Sequence, residues 1–203
     1  MYLERIHDDE LAQSAWLIGC KKSGEAALID PERDIDRYLV AAKRQGFRII
    51  AVAETHVHAD FLSGTREMAE ATGATIYLSG EGGDDLRYAW LDRKEGGGFY
   101  THTLLEDGDG FNVGEVEIRA VHTPGHTPEH LSFLVYDHAG ADGDPVGLVS
   151  GDFVFVGDVG RPDLLEKSVG AVGSARASAA ELHDSLRWFD RLDPWLQVWP
   201  GHG

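Results

Sequence analysis

Residues 48–61 constrain this chain more than any other stretch. Arg48-Ile49-Ile50-Ala51-Val52-Ala53 is a short apolar, partly β-branched run and reads as a buried strand. Leu62-Ser63-Gly64-Thr65-Arg66-Glu67-Met68-Ala69 reads as the start of a helix. Between them, Glu54-Thr55-His56-Val57-His58-Ala59-Asp60-Phe61 sets two imidazoles and a carboxylate in a strand-to-helix loop. Rigid flanking elements can hold such groups toward a cleft. A lone histidine is more often structural than functional. H-x-H-x-D with partners further on reads as the first half of a metal site.

The length of 203 residues allows one sizeable core, and a single domain over 1–203 is expected. The balance of 42% hydrophobic and 26% charged residues is that of a soluble globular chain. No apolar run approaches the roughly 20 residues that span a bilayer, and the N-terminus has no basic region before an apolar one. A cytoplasmic location and no membrane partner are therefore expected. The net charge of −17 disfavours a phosphate-binding surface, so nucleic acid is not an expected partner. The single cysteine, Cys20, cannot form an internal disulfide and falls in an apolar strand.

Strands are expected at 2–6, 14–20 and 25–30. Ile35, Leu39 and Ala42 mark an amphipathic helix that stops near Gly46. After the opening strand and loop come a helix over about 63–72 and a strand at 75–78. Residues 80–112, rich in Gly and Asp, read as a surface excursion with turns, and His102 within them as a surface residue. Alternation over 113–121 predicts a half-buried strand that delivers His122-Thr123-Pro124-Gly125-His126-Thr127-Pro128-Glu129-His130. Strands at 131–136 and 148–152 follow, the first leading into a polar turn at 137–145 and the second ending in Asp152. A helix over 175–192 is expected to carry Ala179, Leu182, Leu186 and Phe189 on one face, with His183 off it. A last strand at 197–199 leads to Pro200-Gly201-His202-Gly203.

His56, His126 and Asp152 each follow a predicted strand and could converge at one sheet edge. Two imidazoles and one carboxylate with open positions beside them is the arrangement of non-haem Fe(II) oxygenases. Zinc hydrolases also use His and Asp, as Lewis acids that activate water. Ligand type alone does not separate the two.

T-H-x-H-A-D, T-P-G-H-T-P, S-G-D and P-G-H, in that order over nearly the whole chain, resemble the metallo-β-lactamase superfamily. The resemblance implies an α/β (α+β) fold, the αββα sandwich of two mixed sheets flanked by helices, with the metal at one sheet edge. Binuclear members such as glyoxalase II carry H-x-H-x-D-H, and this chain has Phe61 where the last histidine belongs. T-H-x-H-A-D-F-x-S-G, T-P-G-H-T-P-E-H-L-S-F and G-D-V-G-R-P-D-L resemble the persulfide dioxygenases, especially the bacterial, often rhodanese-fused branch. That resemblance implies one Fe(II) per chain on His56, His126 and Asp152, with zinc a substitute after aerobic purification. It implies a low-molecular-weight thiol persulfide and O₂ as substrates, with a rhodanese-type sulfurtransferase as the fitting protein partner. A homo-oligomer is compatible with it. His58 and Asp60 are expected to orient ligands or bound water, and Arg161 to meet the carboxylate end of the thiol unless it braces its own loop on Asp158 or Asp163. Thr127 is expected at the substrate unless it caps its loop; Glu129 and His130 are expected near the site or at the surface. His202 matches a second-metal ligand and, opposite Phe61, is expected to be a structural remnant. Family members continue past this point, so the chain is expected to be a piece of a longer protein or to have an open pocket. A zinc-dependent glyoxalase II-like thioester hydrolase is the alternative.

Overall fold

A computed structural model describes residues 1–203 except 84–85, 94–96, 141–142 and 169–172. Three strands open the chain: β1 (Tyr2–Asp8), β2 (Gln13–Cys20) and β3 (Glu25–Ile29), paired antiparallel. Period-two alternation decides which side each residue serves. Trp16, Ile18 and Cys20 of β2 join one apolar cluster, and Ala15 and Leu17 join another. Both faces of this sheet are therefore covered.

Helix α1 (Asp36–Gln45) leads to β4 (Arg48–Ala53), and α2 (Thr65–Thr72) leads to β5 (Thr75–Ser79); β3, β4 and β5 run parallel. Both helices end at a glycine, Gly46 and Gly73, as expected for α1. Tyr38, Ala41, Ala42, Met68 and Ala69 cover one face of the sheet. A register break between Ala26 and Ala27 lets neighbouring Ile50 and Ala51 both face the other side.

The stretch 80–112 is not only turns. It holds β6 (His102–Leu105), parallel to β5 at the edge, and β7 (Gly110–Val113). Each has four residues, and turn-rich flanks hide so short a signal until a neighbouring strand supplies hydrogen bonds. His102 is half-buried, its Nδ1–H donating to the Tyr100 carbonyl at 2.8 Å. The expected strand at 113–121 divides at a hairpin: Val113 ends β7, and β8 (Val116–His122) follows Gly114-Glu115. Asp84, Asp85 and Gly96 of the expected turns lie outside the described residues, as do 141–142 of the polar turn.

The second sheet runs β11-β10-β9-β8-β7, with β9 (Leu131–Asp137), β10 (Gly147–Gly151) and β11 (Gln197–Pro200). It stacks on the six-stranded sheet through Phe111, Val113, Ile118, Leu131, Phe133, Val149 and Trp199. Fully burying a side chain such as Phe133 contributes about 1.5–3 kcal/mol. The short α3 (Leu164–Ser168) precedes α4 (Ser174–Phe189), which packs Leu182, Leu186 and Phe189 on Phe153 and Val154. Ala179 is exposed rather than on that face; Ser178 and Ser185 are buried there instead, and Ser185 Oγ donates to the Pro124 carbonyl at 2.9 Å. This close seat explains Gly125, whose φ is +138°: a Cβ there would lie 2.4 Å from Leu182 Cβ. The layers are helix, sheet, sheet, helix. No helix among the described residues is long and apolar enough to cross a membrane.

Candidate metal centre

β3, β4, β8, β10 and β11 all point their C-terminal ends to one edge of the sandwich, because β3–β4 and β10–β11 are parallel and β8–β9–β10 alternate. Leu131 N–H donates to the Thr55 carbonyl at 2.7 Å and Ser14 N–H to that of Gly201 at 2.7 Å, joining the sheets there. His56 follows β4, His126 follows β8 and Asp152 follows β10.

The structure brings these three together. One donor atom from each lies within 4.8 Å of the other two, and all three residues are buried. His126 Nε2 is 3.4 Å and His56 Nε2 4.0 Å from Asp152 Oδ2. Gly160 makes the approach of these loops possible, since a Cβ there would stand 1.8 Å from the Asp152 carbonyl oxygen and 3.0 Å from His126 Cβ. Only glycine fits between the two.

The hydrogen bonds around His56 fix which nitrogen it offers. Thr55 Oγ1 donates to Asp30 Oδ2 at 2.9 Å, so it accepts from His56 Nδ1–H, also at 2.9 Å. The Nε2 lone pair is left facing Asp152. Partners of this kind orient metal-binding imidazoles. Burial, and then the neighbouring histidines, push His56 well below the usual histidine range and so keep it neutral. Burial also lowers His126, though Asp152 opposes it; its Nδ1 is buried without a well-formed hydrogen bond, while the nearby Arg161 backbone favours the charged ring. Asp152 is pushed up by burial against the pull of His126 and His202. A buried carboxylate facing two neutral imidazoles is a donor set that a cation completes.

His58 does not face this trio. Its Nε2 contacts Asp30 Oδ1 at 3.1 Å, with its ring between His56 and Phe61 at centroid distances of 4.2 Å each. Asp60 is partly exposed and pairs with His202 Nε2 at 3.2 Å; His202 also lies 3.5 Å from Asp152 Oδ1. His202 thus joins two carboxylates at the site's rim while its Nδ1–H donates to the Ala12 carbonyl at 2.9 Å. Thr127 is buried and its hydroxyl has no partner among the described residues. Arg161 is exposed and lies along Asp163, with Nε and Nη2 at 3.1 and 3.2 Å from the two carboxylate oxygens.

Glu129 and His130 are neither surface residues nor bystanders. Both are buried; Glu129 Oε1 accepts the Val57 N–H at 2.9 Å, and His130 Nε2 accepts the Asp152 N–H at 3.1 Å. Of the two places expected for Glu129 and His130 the structure has the one near the site, whereas Asp30 is a residue that the sequence reading missed. It is fully buried with φ at +54°, a left-handed conformation that Asp tolerates better than most residues, and it also accepts the Thr55 N–H at 2.7 Å. The signal that picked Asp152, an acid closing a strand, is present at Asp30 as well. Glu54, buried and pushed up by desolvation, accepts hydrogen bonds from Ser63 and Tyr88 behind the loop.

Known proteins resemble this chain in sequence and fold. The Metallo-beta-lactamase superfamily profile matches residues 8–202. A hydroxyacylglutathione hydrolase of Rhodospirillum rubrum is 32% identical over 187 residues, which are 92% of this chain and 60% of that one. Among solved structures, a metallo-beta-lactamase from Staphylococcus aureus matches with TM-score 0.89 and 41% identity over 100% of this chain and 56% of its own. ETHE1 from Myxococcus xanthus matches with TM-score 0.76 and 28% identity over 100% of this chain and 76% of its own. This chain therefore spans about three-fifths of the length of the first two. A profile match from the first strand to the last histidine, on a sandwich whose strand ends gather His56, His126 and Asp152, makes this chain a member of the metallo-beta-lactamase superfamily.

Proposed function

We propose that the chain is a mononuclear non-haem Fe(II) persulfide dioxygenase acting on a low-molecular-weight thiol persulfide such as glutathione persulfide. One contrast carries the reading. His56, His126 and Asp152 gather as a two-histidine, one-carboxylate set, while Phe61 stands where the binuclear hydrolases have a histidine and packs its tilted ring against His58. Phenylalanine has no lone pair to offer. The donor set suits iron with positions left open beside it.

His56, His126 and Asp152 would hold Fe(II), which would supply the redox chemistry for joining O₂ to the terminal sulfur. Overall, R-S-S-H, O₂ and water become R-S-H, sulfite and two protons; the terminal sulfur is oxidised and O₂ reduced. The chain's own residues prepare the site. Thr55 keeps the His56 Nε2 lone pair available. Burial disfavours a charge on His58, but Asp30, Glu54 and Asp152 overcome it and lift its pKa to about 9. Asp60 and His202, paired at the rim, would orient water there, and Thr127 would offer a hydroxyl that has no partner among the described residues. Arg161 turns from Asp163 to the carboxylate end of the thiol. A rhodanese-type sulfurtransferase is the partner class that trades in the same sulfur.

The second reading is a glyoxalase II-like zinc thioesterase. The name of the Rhodospirillum rubrum relative favours it, as does the survival of Asp60 and His202 around Asp152. Iron and zinc content, measured with oxygen uptake on persulfides and thioester hydrolysis, separates them.

A further inference from the structure

The segment 126–131 supplies one of the three ligands and also grips the loops that carry the other two. Glu129 Oε1 accepts the N–H of Val57, the residue next to His56. His130 Nε2 accepts the N–H of Asp152 itself, and its ring stacks on His56 at a centroid distance of 5.1 Å and 28° between planes. A backbone N–H can only donate, so His130 accepts at Nε2 and carries its proton on Nδ1. That proton goes to Thr123 Oγ1 at 2.9 Å, and the Thr123 hydroxyl goes on to Ser132 Oγ at 2.8 Å. The Thr123 N–H also donates to the His130 carbonyl at 2.9 Å. His130 is thus fixed in ring orientation and tautomer by its own strand neighbours. Both side chains are almost wholly inaccessible, at 1% for Glu129 and 0% for His130.

We propose that Glu129-His130 is a clamp of two positioning residues: it sets the spacing of His56 and Asp152 about His126, and so sets the affinity and coordination geometry of the metal. The inference rests on the metal centre and not on the persulfide reaction. Neither residue needs to touch the metal, because each acts through a backbone N–H at or beside a ligand. An ordinary core pair would stabilise the fold without changing how a metal is held.

The test is titration of the metal-free protein with Co(II), followed by visible absorption and chelator competition, for wild type, H130F, E129L and E129Q. His130→Phe keeps a ring against His56 but removes the acceptor for Asp152. Glu129→Leu removes the acceptor for Val57, and Glu129→Gln retains it. Losing such a partner costs about 10–100-fold in metal affinity, so H130F and E129L should bind Co(II) that much more weakly and with shifted bands, while E129Q stays within about twofold of wild type. Wild-type affinity and spectrum in H130F and E129L would overturn the clamp, as would a loss in E129Q equal to that in E129L. Should H130F fail to fold, the Glu129 pair decides. A wild-type protein that binds no Co(II) would remove the centre itself and the clamp with it.

Discussion

His58 Nε2 and Asp30 Oδ1 lie 3.1 Å apart, with 5% and 0% of their side chains exposed. The second histidine of H-x-H is thereby committed to the protein's own carboxylate, while the first faces Asp152. His58→Ala should retain metal and lower activity by about 10–100-fold. Asp30→Ala should be worse for the fold, because it strands the buried His58 cation together with the Thr55 N–H and hydroxyl; losing one partner of a buried pair costs about 3–5 kcal/mol. Denaturant melts and metal analysis of both variants check this. Loss of metal in H58A as complete as in D152A would place His58 among the ligands.

Asp152 is the anionic member of the trio and is reached by both imidazoles. Asp152→Ala should abolish metal binding while far-UV circular dichroism stays native. Retention of one metal per chain in D152A would show that other residues hold it.

Much of this site was legible because its residues follow strands with clear apolar patterns. β4 and β10 announce the loops that carry His56 and Asp152, and ordered motifs point to the sandwich. What was missed lies where one residue's meaning depends on a distant one. Asp30 ends an ordinary strand until Thr55 and His58, 25 and 28 residues on, turn toward it. His130 was left open between the site and the surface, because what decides it is the Asp152 N–H, 22 residues later. The strands β6 and β7 failed for a local reason, since four residues between Gly/Asp turns carry too little pattern. Ala179 failed because the buried side of α4 includes small polar Ser178 and Ser185, the latter bonded to Pro124, which hydrophobic periodicity does not register.

Arg161 carries two readings that kinetics can divide. Its bidentate contact with Asp163, which also pairs with Lys167, is the brace, and the exposed guanidinium remains within reach of solvent. Arg161→Ala should raise KM for glutathione persulfide by about tenfold, the low end for a charge-assisted hydrogen bond, with metal content unchanged. A persulfide without a carboxylate should be far less affected. Equal losses on both substrates would leave Arg161 as a brace alone.

His202 gives a pH dependence with a defined sign. Its hydrogen bond to Asp60 raises it against the cost of burial, aided by Asp152, to about 9. A group raised on folding stabilises fully below its unfolded value near 6.5 and loses that contribution as pH climbs through its folded value. In chelator, wild type should therefore melt above His202→Gln at pH 6 by about 2–4 °C, the worth of about 1 kcal/mol in a chain of this size. The gap should close by pH 10. A gap that widens with pH would contradict the pairing.

The most direct test of the dioxygenase account is metal content measured together with oxygen uptake on glutathione persulfide, in protein prepared without air. The account predicts one iron per chain, with oxygen consumed and sulfite formed in equal amounts. Two zincs per chain, no oxygen uptake and hydrolysis of a glutathione thioester would contradict it.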